Sequence, residues 1–163
     1  MSLILAQHTL RIDRSIHDVF DYVSNHEHYA DWFPGVLSVT SDSAPQGTIG
    51  KTYFEKIRLP TGRIREIRIP VTQYDRPSLF VTEGVLPPLH PRMEIRLRQD
   101  DNDATILRWI FSSRSTSRVT HILLRLFVKR QLNRQSTQAM HRLKATLESG
   151  DNRPVALRTD RES

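Results

Sequence analysis

The spacing of hydrophobic and polar positions changes twice along this 163-residue chain. Residues 3–13 alternate in polarity, a pattern that is typical of a half-buried strand. Apolar residues then recur at helical spacing over 16–23, directly after Ser15, which is a residue type that favours helix N-termini. A second short helix is predicted over 26–32. The chain therefore opens with a strand followed by two short helices.

Residues 36–113 consist of short alternating runs separated by turn-forming residues, which predicts an antiparallel meander. Pro70 lies inside one of these runs and predicts an edge or a bulge at that point, because proline cannot donate a ladder hydrogen bond. The predicted strands cover 36–43, 51–59, 64–74, 79–85, 92–98 and 104–113.

A long helix is predicted over 118–149, ended by Gly150, and the polar residues 151–163 are expected to be disordered. Its apolar residues form two stripes that point about 120° apart, so one straight helix cannot bury both. This predicts a kink near 131–133, or a first segment that packs elsewhere. The first stripe is Val119, Ile122, Leu123, Leu126 and Phe127, and the second is Leu132, Ala139, Met140, Leu143 and Leu147.

Composition narrows the class of protein. The chain contains no cysteine, which excludes disulfides, thiolate metal sites and a cysteine nucleophile. The apolar runs are shorter than the roughly 18 residues of a membrane span, and the first residues lack the basic region of a signal peptide. We therefore expect one domain over residues 1–150 and a cytoplasmic location.

Positive charge is concentrated near the C-terminus. Lys and Arg number 24 against 18 acidic residues, and residues 112–147 contain eight basic residues and no acid. A solvated helix face is the simplest explanation for such a segment. The alternative is a surface that attracts phosphates, anionic lipid or an acidic partner.

Two short motifs do not support a metal or nucleotide site. His26 and His28 point about 200° apart on a helix and have no third ligand at a useful spacing, so we expect both to be exposed. Residues 47–52 lack the first glycine of a phosphate-binding loop and precede a strand rather than a helix. We expect no metal and no cofactor.

Several sequence motifs follow each other along the chain, namely DVFDYV (18–23), DWFPGV (31–36), GTIG (47–50), VTQYDRP (71–77), TILRW (105–109) and NRQSTQAM (133–140). Their order resembles that of the START-like (SRPBCC) superfamily, which includes polyketide cyclase/dehydrase and lipid-transport proteins. This resemblance implies an α+β helix-grip fold, in which a curved antiparallel sheet wraps around a long C-terminal helix and two short helices follow strand 1.

The resemblance also implies a cavity between the sheet and the long helix, which would hold an apolar or aromatic ligand. Alternation places Leu107, Trp109 and Phe111 on one face of the last strand, where they line either this cavity or a dry core. We predict that this cavity is lined by these three residues and Met140. The complete set of predicted ligand-binding residues is Trp32, Phe33, Tyr53, Leu107, Trp109, Phe111, Met140 and Leu143.

Polar residues in the predicted strands are harder to place by sequence. Glu55, Glu66, Glu83, Glu94 and Arg96 lie in alternating runs, and some of them are expected to face the cavity while most face water. The aromatic cyclases of the superfamily carry a pocket arginine where this chain has Thr72. Arg65 or Arg68 takes its place only if the Pro70 bulge shifts the register.

The leading functional expectation is binding of a hydrophobic small molecule, such as an aromatic polyketide, a lipid or an isoprenoid-like compound. One alternative is a cofactor-independent polyketide cyclase or dehydratase, whose catalytic residues the sequence leaves unknown. A further alternative is an interaction module that meets membrane or ribosome through its basic helix. Specific DNA binding is not expected, and the oligomeric state is left open.

The apolar stripe of residues 119–127 has two possible roles. It either covers one end of the cavity as a movable lid, or it docks on an anionic membrane with Arg118, Arg125, Lys129 and Arg130 near the headgroups. We favour the lid, because covering a cavity buries these residues without requiring a membrane.

Overall fold

Seven antiparallel strands form one sheet in the computed structural model, which describes residues 2–150. The strands follow each other in space in the order β1-β7-β6-β5-β4-β3-β2, so strand β1 lies at the edge beside the last strand. Their bounds are β1 Leu3–Ile12, β2 Val36–Ser41, β3 Thr52–Arg58, β4 Ile64–Asp75, β5 Leu79–Glu83, β6 Pro91–Gln99 and β7 Thr105–Ser113.

Two short helices follow β1 and a long helical region closes the fold. The hydroxyl of Ser15 accepts a hydrogen bond from the Asp18 backbone N–H and so caps the first helix. Gly150 adopts a φ of 70° and ends the last helix in the left-handed conformation that favours glycine. The helices are α1 Ile16–Ser24, α2 Tyr29–Trp32, α3 Arg118–Leu123 and α4 Lys129–Ser149, with 3₁₀ turns at His26–His28 and Asp101–Asp103.

The pairing of strand β4 changes at Pro70, next to a bulge, as the sequence predicts. Pro70 is the last residue of β4 that pairs with β3, opposite Thr52, and Val71 is the first that pairs with β5, opposite Thr82. The register of β4 and β5 then shifts between Val71 and Gln73. The strand therefore changes partners where proline cannot donate a ladder hydrogen bond, which curves the sheet.

Helix α4 packs against the inner face of this sheet. Leu132, Ala139, Met140, Leu143 and Leu147 are buried, as helical periodicity predicts. His8 Nε2 of β1 lies 2.8 Å from the Ser136 hydroxyl, which ties the edge strand to the helix. The helix-grip architecture is therefore confirmed.

The long helical region is irregular at Leu124–Val128, which forms a π-helical turn between α3 and α4. The irregularity lies a few residues before the predicted kink at 131–133, where α4 is continuous. A π turn adds a residue to one turn and so rotates the face that follows it.

Within residues 2–150, none of the helices combines the length and apolar character that a membrane span requires. The expectation of disorder for residues 151–163 lies outside the described residues.

Candidate functional site

A cavity of about 470 Å³ lies between the inner face of the sheet and the helical residues 124–135. It lies within the range of pockets that hold small organic ligands. Strands β3 to β6 supply one wall, and the π turn and the start of α4 supply the other. Most of the wall is apolar, and its members include Ile57, Ile67, Ile69, Met93, Leu124 and Val128.

Three buried polar side chains interrupt this apolar wall: His26, Glu55 and Thr82. His26 Nε2 contacts the Glu55 carboxylate directly, and the two side chains are 2% and 7% exposed. The other ring nitrogen, His26 Nδ1, is buried and has no hydrogen-bond partner within the described residues. The cavity wall therefore includes a buried acid–imidazole pair in which one ring nitrogen makes no hydrogen bond within the described residues.

Aromatic residues surround this pair. The Tyr29 ring stacks on the His26 ring at a centroid distance of 4.7 Å, and the Tyr53 ring lies 5.3 Å away. Burial, and secondarily the charge of Glu55, raises the pKa of Tyr29 well above its usual value. Burial likewise raises the pKa of Tyr53 to about 12. Both phenols are therefore neutral at physiological pH.

Part of the cavity wall is exposed to solvent. Its exposed wall residues are Arg58, Arg65, Gln131 and the prolines Pro60, Pro87 and Pro88. Gln135 of α4 also lines the cavity and approaches Gly35, where a Cβ atom would lie 3.1 Å from the amide nitrogen. Two arginines thus lie at the opening, beside three prolines, while most of the interior wall is apolar.

The structure places two of the predicted ligand-binding residues in the cavity wall and six in the core. Phe33 and Phe111 line the cavity. Trp32, Tyr53, Leu107, Trp109, Met140 and Leu143 are buried but lie behind the wall, so the prediction that Leu107, Trp109 and Met140 line it is wrong.

The inward register of β7 is nevertheless as predicted. Leu107 and Trp109 are fully buried, whereas Arg108 is exposed. Trp109 lies between the rings of Phe33 and Phe111, at centroid distances of 5.7 and 5.8 Å. Trp109 therefore supports two wall residues from behind rather than forming the wall itself.

The expectation that His26 is exposed is wrong. The 3₁₀ turn at His26–His28 follows α1 directly, and His26 continues the buried face of that helix three residues after Val23. His28 is half-buried and stacks edge-on against Tyr22 at 4.4 Å. The i+3 spacing from Val23 was the signal in the sequence that indicated burial of His26.

Of the other polar candidates, only Glu55 reaches the cavity interior. Arg65 lies at the opening, and neither Arg68 nor Thr72 lines the cavity. Glu94 is buried, which opposes its ionisation, but the hydrogen bonds that it accepts from Arg92 and Arg96 lower its pKa on balance. Glu66, Glu83 and Arg96 do not line the cavity either.

The apolar stripe of residues 119–127 faces away from the cavity. Its five members are each at least half exposed, and Phe127 is 71% exposed. Leu124 and Val128, on the opposite side of the same segment, line the cavity instead. The lid hypothesis for the stripe is therefore wrong, because the inner face of α4 continues through Leu124 and leaves the stripe outside.

Among residues 2–150, no group of three or more His, Asp or Glu side chains is arranged to hold a metal ion.

Comparison with known proteins agrees with this architecture. A family model described as polyketide cyclase / dehydrase and lipid transport matches residues 4–148. A search of curated proteins finds no significant match.

Solved structures share the fold at low sequence identity. The Zhui aromatase/cyclase from Streptomyces sp. R1128 is 17% identical, with a TM-score of 0.70 over 91% of this chain and 94% of that one. A START superfamily protein from Mycobacterium smegmatis is 12% identical, with a TM-score of 0.62 over 89% and 94%.

A di-domain aromatase/cyclase, StfQ from the steffimycin biosynthetic pathway, is 14% identical with a TM-score of 0.69 over 91% of this chain. The present chain spans 52% of that protein's length. Identities at this level relate the folds and do not transfer a substrate.

Proposed function

The chain belongs to the polyketide cyclase / dehydrase and lipid transport family, and on this premise we propose that it binds a hydrophobic small molecule in the central cavity. The observation that carries the proposal is the apolar space of about 470 Å³. Burying apolar ligand surface there gains roughly 25 cal/mol per Å² before the cost of association. An aromatic polyketide, a lipid tail or an isoprenoid-like compound has suitable chemistry.

Cofactor-independent cyclase or dehydratase chemistry is the alternative within the same cavity. The buried Glu55 and His26 favour it, because positioned acid–base groups promote proton transfer. Thr72 stands where an aromatic cyclase is expected to carry its pocket arginine and does not line the cavity, and Arg65 lies at the opening. For this reason we give binding precedence over turnover.

Titration with N-phenyl-1-naphthylamine, an uncharged fluorescent probe, tests the binding proposal. We expect saturable binding of one probe per chain, with a dissociation constant of about 1–100 μM for a ligand of this size. Fluorescence that rises linearly with probe concentration, without saturation, would contradict the proposal.

We also propose that the outer apolar stripe docks on an anionic lipid surface. Val119, Ile122, Leu123, Leu126 and Phe127 are exposed together on one short segment, which is unusual for a surface that only meets water. The exposed Arg118, Arg125 and Arg130 lie on the same segment, which contains no acid. Apolar side chains beside arginines complement acyl chains beneath negative headgroups.

Such docking would place the cavity near the bilayer. Leu124 and Val128 line the cavity from the same segment whose other side carries the stripe. An RNA partner fits less well, because phosphates would satisfy the arginines but leave the apolar stripe uncovered.

Vesicle co-sedimentation tests the docking surface. We expect binding to phosphatidylcholine vesicles that contain phosphatidylserine, weaker binding to pure phosphatidylcholine, and loss of binding at high salt. Leu126→Asp should weaken vesicle binding at least tenfold, because burial of a leucine in the interface contributes about 1.5–3 kcal/mol.

The matched control is Ile49→Asp, at an apolar residue that is 57% exposed outside the stripe, and it should bind vesicles like the wild type. Leu126→Asp should also keep probe affinity within about twofold, since Leu126 does not line the cavity. Equal vesicle binding by wild type and Leu126→Asp, or binding to a structured RNA alone, would overturn this proposal.

A further inference from the structure

The buried polar cluster in the cavity wall has one feature that the apolar wall does not explain. His26 is 2% exposed, and its Nδ1 atom is shielded from solvent without a hydrogen-bond partner within the described residues. A buried polar atom without a partner is costly, and a cavity that holds a ligand offers a place for the missing partner.

The contact with Glu55 determines which ring nitrogen is free. An ionised carboxylate only accepts hydrogen bonds, so the His26 tautomer that pairs with an ionised Glu55 carries the ring hydrogen on Nε2, the atom in contact with Glu55. In a neutral imidazole the remaining nitrogen, Nδ1, is then an acceptor. An unpaired lone pair at this buried position is also less costly than an unpaired N–H of a charged ring.

We propose that His26 Nδ1 accepts a hydrogen bond from a hydroxyl group of the bound molecule. This inference rests on the proposed function and narrows the ligand to an apolar molecule with a hydroxyl donor. Tyr29, Phe33 and Phe111 line the same cavity, and flat aromatic rings pack well against such side chains. A phenolic or enolic aromatic compound therefore matches the site.

Glu55 acts in this arrangement as a positioning residue. It stabilises the His26 tautomer that has its hydrogen on Nε2 and fixes the orientation of the ring, as carboxylates do for histidines in other proteins. Tyr29, stacked on the ring at 4.7 Å, fixes the ring from its face. His26 Nδ1, which accepts the hydrogen bond from the ligand hydroxyl, is thus held in place before the ligand binds, and this limits the entropy lost on binding.

A matched ligand pair tests the proposal directly. 2-Naphthol and 2-methoxynaphthalene share an aromatic body, but only the first donates a hydrogen bond. The double variant His26→Phe/Glu55→Met removes the pair together, because replacing both members avoids leaving one buried charge unpaired. In this variant, we expect the dissociation constant of 2-naphthol divided by that of 2-methoxynaphthalene to be about tenfold higher than in the wild type.

Thr72→Val is the control, since it removes a hydroxyl from a threonine that does not line the cavity. It should leave the ratio within twofold. An unchanged ratio in the double variant, or an equal shift in Thr72→Val, would overturn the role of His26.

Nitrogen NMR of the wild-type histidines keeps the test independent of how the variants fold. The His26 Nδ1 resonance should shift on addition of 2-naphthol and much less on addition of 2-methoxynaphthalene. Equal shifts with saturable binding of both compounds would overturn this inference alone. Absence of binding by either compound would instead overturn the proposed function together with it.

Discussion

Replacing Trp109 by alanine is expected to remove about 3–5 kcal/mol from the free energy of unfolding, as for other fully buried tryptophans. Trp109 has no exposed surface, and its ring packs between those of Phe33 and Phe111. Because a small domain has only about 5–15 kcal/mol in total, the variant should be close to the limit of folding. Urea denaturation followed by circular dichroism measures the loss.

Arg108→Ala is the matched control on the neighbouring position. Arg108 is exposed and donates a single 3.1 Å hydrogen bond to Gln7, so its loss should change stability by less than about 1 kcal/mol. A Trp109→Ala variant as stable as the wild type but unable to bind the naphthylamine probe would contradict the core role and restore Trp109 to the ligand site.

Filling the cavity should weaken binding strongly while leaving the fold intact. The double variant Ile57→Trp/Ile67→Trp places two indole rings in the apolar wall, on β3 and β4. Since the added volume occupies the space that a ligand needs, we expect affinity for the naphthylamine probe to fall at least tenfold. Fluorescence titration of folded protein provides the comparison.

The matched control is the double variant Lys56→Trp/Arg68→Trp, which places two tryptophan side chains on the opposite face of the same strands. Lys56 and Arg68 are exposed and do not line the cavity, so this control should bind the probe within about twofold of the wild type. Equal weakening by both double variants would show that the effect comes from general damage to the sheet.

The sequence predicted the elements well because their periodicity is a local property. Alternation in β7 correctly placed Leu107 and Trp109 on the inner face. It did not show how far along the strand the cavity extends, because that depends on where α4 crosses the sheet. Phe111 therefore lines the cavity while Leu107 and Trp109 do not.

The His26–Glu55 pair was beyond sequence reasoning for a different reason. The two residues are 29 positions apart and meet only when the 3₁₀ turn packs on β3. Burial of His26 was predictable from its spacing to Val23, and Glu55 was already a candidate by alternation with Phe54. Their contact requires the tertiary structure.

Helical periodicity likewise identified the stripe of residues 119–127 without showing what it faces. An apolar face packs equally well on a cavity, a membrane or a partner. Only the position of Leu124 and Val128 in the cavity wall shows that the stripe lies on the outside.

Intermolecular nuclear Overhauser effects between bound N-phenyl-1-naphthylamine and the protein's methyl groups test the central claim most directly, because the chain offers two apolar surfaces to such a probe. We predict contacts to Ile67, Ile69 and Met93 inside the cavity. Contacts confined to Ile122, Leu123 and Leu126 on the outer stripe would contradict the account.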